Sequence, residues 1–152
     1  METSEIMIND WISYSNEPFQ IDYFHRTTGT VGLKYRGKSE YYQDGVVCIE
    51  DISPILLTPE LLEKNGWQKH ATYGSIEEDG VVEEIYMLYE YNFEVVFSNK
   101  EPISIRHFVQ TDDDGYDKLL IESRDNTMGV HVLQHAFRLY GLSDVANSFK
   151  VR

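Results

Sequence analysis

A chain of 152 residues with 13 Lys and Arg against 26 Asp and Glu carries a formal charge of −13. That length suffices to bury about two-thirds of the unfolded surface around one core, and the apolar (41%) and aromatic (13%) content excludes a disordered acidic tail. Cys48 is the only cysteine, which excludes an internal disulfide. The opening residues Met1-Glu2-Thr3-Ser4-Glu5 lack the positive charge of a secretory signal, so a soluble cytoplasmic protein is expected.

In chain order, the first third reads as short strands over residues 7–14, 18–26, 31–36, 41–43 and 46–50. Turn signals separate them at Ser15-Asn16, Thr28-Gly29, Gly37-Lys38 and Asp44-Gly45. Several short strands closed by tight turns predict a small curled sheet. Cys48 lies in the run Val46-Val47-Cys48-Ile49 and reads as a small buried hydrophobe.

The stretch from Leu57 to Gly66 is a helix written in capping chemistry. Thr58 is the N-cap, Pro59 fits the first helical position, Glu60 faces the positive end of the dipole, and Leu57 and Leu62 are spaced as a hydrophobic staple. Gly66 supplies the exit.

From Tyr73 to Glu122 the period returns to two. Ile85, Met87, Tyr89, Tyr91, Phe93, Val95 and Phe97 share one parity, and Glu90, Asn92, Glu94 and Ser98 the other, which predicts one buried and one wet face with a turn or bulge near Asn92. Residues 103–110 and 118–123 flank Asp112-Asp113-Asp114-Gly115 as a further hairpin. An amphipathic helix follows over 128–140, with Val130, Val132, Leu133, Ala136, Phe137, Leu139 and Tyr140 on its apolar half and His131, Gln134, His135 and Arg138 on a solvated half. Gly141 ends it, and Ser143 caps a short further turn.

These elements predict an α+β fold: a strand-rich N-terminal small curled sheet, a short connecting helix, and an antiparallel sheet covered by the C-terminal amphipathic helix. Residues 1–152 form a single domain, divisible into subdomains 1–56 and 57–152.

The charge is unevenly spread. Residues 40–100 hold thirteen acids and three bases, whereas residues 1–39 hold five and four. A field of that sign repels nucleic-acid backbones and attracts cationic surfaces. Two clusters stand out as partner-binding candidates: Glu77, Glu78, Asp79, Glu83 and Glu84 around Gly80, and Asp112, Asp113 and Asp114 before Gly115. Solvation of a small protein is the simpler explanation of the acidity. The aspartates lack the alternating spacing and the distal Glu of a calcium loop, so turn chemistry accounts for them better.

His131 and His135 stand four apart, as on metal-binding helices. Val132 occupies the place where such a helix carries a catalytic Glu, and Arg138 projects a fixed positive charge from the same face. The sequence holds no phosphate loop or nucleophile elbow, so no enzyme activity and no cofactor are expected.

Three segments carry a resemblance: Ile8-Asn9-Asp10-Trp11-Ile12, the run from Ile52-Ser53-Pro54-Ile55 through Leu57-Thr58-Pro59-Glu60 to Asn65-Gly66-Trp67, and Val130-His131-Val132-Leu133-Gln134-His135. Together they resemble a family of small uncharacterised proteins from bacteria and their phages and mobile elements. The resemblance implies a genomic setting and assigns no residue a role.

The expected function is therefore a non-catalytic acidic interaction protein of phage or mobile-element type. In its sharpest form it is a counter-defence (anti-CRISPR-like) inhibitor that binds a basic surface of a host nucleic-acid-processing protein. The alternatives are a single-stranded nucleic-acid-binding module using Arg26, Lys34, Arg36 and Lys38 of the N-terminal sheet, and a metal-dependent hydrolase using His131 and His135.

Overall fold

In a computed structural model, residues 6–25, 27–34, 46–111, 114–122 and 128–151 are described. In chain order the elements are β1 (Trp11–Tyr14), β2 (Glu17–His25), β3 (Thr30–Lys34), β4 (Val46–Cys48), β5 (Ile52–Pro54), α1 (Pro59–Lys64), β6 (Gln68–Tyr73), β7 (Glu83–Leu88), β8 (Phe93–Ser98), β9 (Glu101–Gln110), β10 (Gly115–Glu122), α2 (Val130–Leu139) and α3 (Ser143–Ser148). They form the expected strand-rich α+β architecture. Two units divide it: residues 1–56 with 129–151, and residues 57–128.

The first unit is an antiparallel sheet in the order β4-β3-β2-β1-β5. Ser15 and Asn16, both with positive φ, close the β1–β2 hairpin in two residues, the backbone sign that matches strand twist. A bulge between Ile21 and Tyr23 adds local twist to β2 and curls the sheet. Ile6, Ile12, Phe19, Ile21, Val31, Leu33, Val47, Ile49 and Ile52 form its core. Cys48 does not join them. It is exposed, because in a three-residue edge strand only the central Val47 points inward.

The sequence pattern assigns the C-terminal helix to the second sheet, but α2 packs on β1 and α3 and so belongs with the first. Its N-terminus is held by an N–H of Val130 donating to the Ile55 carbonyl at 2.8 Å, beside the bridge between Leu56 and Gly129. The Leu142 carbonyl accepts from the Ala146 N–H at 3.0 Å, and α3 starts without a side-chain cap, so Ser143 lies inside the helix rather than capping it.

In the second unit α1 behaves as its sequence dictates. The Thr58 hydroxyl accepts from the Leu61 N–H at 3.3 Å, Leu57 and Leu62 are buried, and Gly66 takes a φ of 84° that favours glycine. Its own N–H and the Thr58 hydroxyl hold the Glu60 carboxyl below the usual range.

The sheet of this unit is an antiparallel meander in the order β10-β9-β8-β7-β6. Tyr89–Asn92 form the turn between β7 and β8, and this turn reverses the parity expected to run through it. Ile85 and Met87 pair with Val96 and Glu94, and so lie on the face opposite Phe93, Val95 and Phe97. Both faces of β8 are consequently buried, and Glu94, expected on a wet face, is buried with them.

Candidate functional site

Two polar constellations compete for attention, one in each unit. In the first, the expected solvated half of α2 faces inward. His131 is 6% exposed, Gln134 0%, and the side chains of His135 and Arg138 are 20% and 16% exposed, while Leu139, expected on the apolar half, is 79% exposed.

Of these, Gln134, His135 and Arg138 meet the segment entering β1, and the His131 ring packs edge-on to that of His135. Asp10 is fully buried, and its carboxylate accepts from the Met7 N–H at 2.7 Å, from His135 Nε2 at 2.6 Å and from Arg138. Gln134 accepts from the Trp11 N–H at 2.9 Å and donates to the carbonyls of Asn9 and Ala146 at 3.1 and 2.8 Å. The Trp11 indole donates to the Phe149 carbonyl at 2.8 Å.

Burying these groups is tolerable because nearly every donor and acceptor is matched, and because Arg138 compensates the Asp10 charge. The partners stand more than 120 residues apart in the chain, so helical periodicity could not reveal them. The available signal was Asp10 itself, a lone acid inside the apolar run Ile8–Ile12.

This arrangement ties the start of the chain to its last helices. It offers little for chemistry on a substrate, since the Asp10 oxygens are occupied and Arg138 neutralises the carboxylate. Among the described residues no three His, Cys, Asp or Glu side chains are placed to hold a metal ion. Of the cations in the nucleic-acid alternative, Lys34 is engaged by Asn9 Oδ1 at 2.7 Å and Asp22 at 3.5 Å. Arg26, Arg36 and Lys38 lie outside the described residues.

The second constellation is the tip between β6 and β7, residues 74–82. Gly74 has a φ of 79°, and a Cβ there would collide with the Val81 carbonyl oxygen, so the two arms of the loop approach as only glycine permits. Ser75 Oγ accepts from the Glu77 N–H at 3.2 Å, and Asp79 Oδ2 accepts from the Ser75 N–H at 3.1 Å. The Asp79 and Gly80 N–H groups donate back to the carbonyls of Ser75 and Ile76 at 2.8 and 3.2 Å.

Asn99, in the β8–β9 turn, buttresses this helical turn. Its Oδ1 accepts from the Val82 N–H at 2.9 Å and its Nδ2 donates to the Gly80 carbonyl at 3.3 Å. Sequence reasoning did not single out Asn99. Its only local signal was an Asn-Lys pair between two strand patterns.

The structure sorts the predicted acidic residues by environment. Glu77, Glu78, Asp79 and Glu83 are exposed, and none is in an ion pair among the described residues. Glu84 differs: it is bonded to Lys69, whose ammonium also sits 5.7 Å from the centre of the Tyr86 ring. The Glu84 hydrogen bond raises the Lys69 pKa above its ordinary value.

Asp112 and Asp113 lie outside the described residues. Asp114 is exposed and works in its turn, taking the Gly115 N–H at 2.8 Å while its N–H donates to Thr111 Oγ1 at 3.2 Å. The register places the 74–82 tip and Asp114 at opposite edges and opposite ends of the sheet, so Asp114 does not extend the tip's acidic patch.

Exposed apolar residues border the first loop at Tyr73, Ile76 and Val81, and Tyr116 is exposed just after the second. The tip thus carries exposed carboxylates and large apolar side chains on one hydrogen-bonded turn. No described helix is long and apolar enough to cross a membrane. No protein-family model, curated protein or solved structure matches the chain.

Proposed function

We propose that this chain is a non-catalytic interaction protein whose second unit offers the 74–82 tip and Glu83 to a basic protein surface. The single observation that carries the reading is the contrast around the hairpin. Glu77, Glu78, Asp79 and Glu83 are exposed with no cation among the described residues to neutralise them, while the adjacent Glu84 is matched by Lys69. Carboxylates held on a buttressed turn imitate the spaced negative charge of a phosphate backbone, and the basic groove of a nucleic-acid-processing protein is the surface they complement. In the phage or mobile-element setting that the resemblance implies, this is the action of a counter-defence inhibitor working in the host cytoplasm.

The test is retention of basic proteins from a bacterial lysate at low and moderate salt by the wild type and by the E77Q/E78Q/D79N/E83Q variant. Retention at low salt that weakens as salt screens the charges and is lost in the variant is the expected result. Equal retention by both proteins overturns the proposal.

A further inference from the structure

The strand leading into the acidic tip is itself unfinished. β6 lies at the edge of its sheet, bonded to β7 on one side, with no described strand on the other, and every β6 residue except Ala71 is exposed. An edge presents a row of backbone N–H and C=O groups that another strand can complete, and proteins blunt such edges with short length, bulges or outward charge.

The four sheet edges differ in these defences. β4 and β5 have three residues each, and β10 carries a mid-strand bulge between Leu119 and Ile121. In β6 the bulge sits early, between Lys69 and Ala71, and leaves Ala71–Tyr73 in unbroken register with Glu83–Ile85. The edge charge is also engaged, since Lys69, though exposed, is bonded to Glu84 and lies over the Tyr86 ring. Tyr73, at the tip end, is 58% exposed, so this end combines an open backbone with a large amphipathic side chain.

We propose that the outer edge of β6 at Ala71–Tyr73 accepts an extended segment of a partner protein bearing Lys or Arg, which adds a sixth strand to the sheet. The inference rests on the acidic-tip reading and names how that tip is approached. Main-chain bonds to β6 hold the segment, and its cations supply the specificity. Glu83 pairs across from Tyr73 and so shares its face. A side chain on the added strand is about two strand spacings, ~9.6 Å, from Glu83, and a Lys or Arg beside Tyr73 spans most of that gap. Glu77–Asp79 lie just beyond the strand end.

The probe is the octapeptide Lys-Val-Lys-Thr-Lys-Val-Lys-Thr, with Glu replacing each Lys in the control, added to the full chain and followed by amide shifts and hydrogen exchange. The expected result is shifts at 71–73, slowed exchange of outward β6 amides, and affinity at least about tenfold weaker for the Glu peptide and for the E77Q/E78Q/D79N/E83Q variant. Successive N–H groups alternate between β7 and the open edge. One of A71P and T72P therefore removes only an outward donor, and the one that retains the wild-type melting temperature is expected to abolish the β6 protection.

Shifts confined to 75–83 with unchanged β6 exchange overturn the added strand while leaving the tip reading standing. Loss of basic-protein retention in the charge variant but not in the proline variant does the same. Protection of β6 without peptide that grows with protein concentration assigns the edge to a second copy and overturns the basic segment. No binding of either peptide, together with equal lysate retention by the charge variant, removes both readings.

Discussion

The two units treat ionised side chains in opposite ways. Around Asp10 the charge is fully buried and every contact is internal: Met7, His135 and Arg138 take up the carboxylate, and Gln134 closes the adjoining backbone. Around the β6–β7 tip the charges face water, and the protein spends its hydrogen bonds on holding the backbone of the turn through Ser75 and Asn99. A buried carboxylate without partners costs several kcal/mol, so the first set is fixed by folding itself, whereas the second costs little to keep and little to lose. Polar residues inside the first unit therefore report on stability, and those at the tip are available for recognition.

The sharpest way to break this contrast is Asp10→Ala. It leaves the Arg138 guanidinium, 16% exposed, without its carboxylate, and is expected to cost about 3–5 kcal/mol in denaturant unfolding. A loss no larger than that of a surface substitution would mean the cluster is not what joins the two ends of the chain. Gln134→Leu keeps the volume but strands the Trp11 N–H and the Ala146 carbonyl, and leaves the Asn9 carbonyl to Gln20 alone. The expected loss is smaller, ~1–3 kcal/mol, read as a shift of the denaturant midpoint with an unchanged slope.

That cluster marks where the sequence stopped being legible. α1 could be read almost whole because Thr58, Pro59, Leu57, Leu62 and Gly66 act within ten residues of one another. The meander from β7 onward is legible as strands for the same reason, whereas β6, Gln68–Tyr73, precedes the stretch in which period two is expected. Two of its features escaped: the parity reversal at Tyr89–Asn92, which depends on turn length, and the burial of Glu94, which depends on what covers the second face. The inward Gln134, His135 and Arg138 escaped because their polarity is answered by Asn9, Asp10 and Trp11, and no local period encodes a partner at the other end of the chain. The acidic residues at 77–79 were legible as a cluster. The pairing of Glu84 with Lys69 is cross-strand and was not.

A titration sharpens the comparison inside the second unit, which also holds a partly buried ionisable group. Burial lowers the His107 pKa below its ordinary value of 6.5, and the Lys118 charge adds to the effect, while a backbone hydrogen bond with Tyr91 opposes it. The unfolded chain thus binds a proton at higher pH than the folded one. The His107 contribution to stability is complete above about pH 6.5 and is lost as pH falls toward the depressed folded pKa. Melting temperature measured from pH 7.5 to 5 should fall with acidity, and H107F, which keeps a ring against Phe93, should flatten that slope. An equal slope in the variant would assign the dependence to other groups.

The smallest expected effect on stability falls at the tip. In E77Q/E78Q/D79N/E83Q the side-chain amide that replaces the Asp79 carboxylate still accepts from the Ser75 N–H, and the Asn99 contacts to Gly80 and Val82 are untouched, so the turn keeps its geometry. Four crowded negative charges disappear, which relieves repulsion that added salt would otherwise screen. The melting temperature should therefore stay level or rise slightly at low salt, and its salt dependence should become shallower. A marked fall would show that these carboxylates are structural, as Asp10 is, and would erase the distinction between a charge that folding requires and one that it does not.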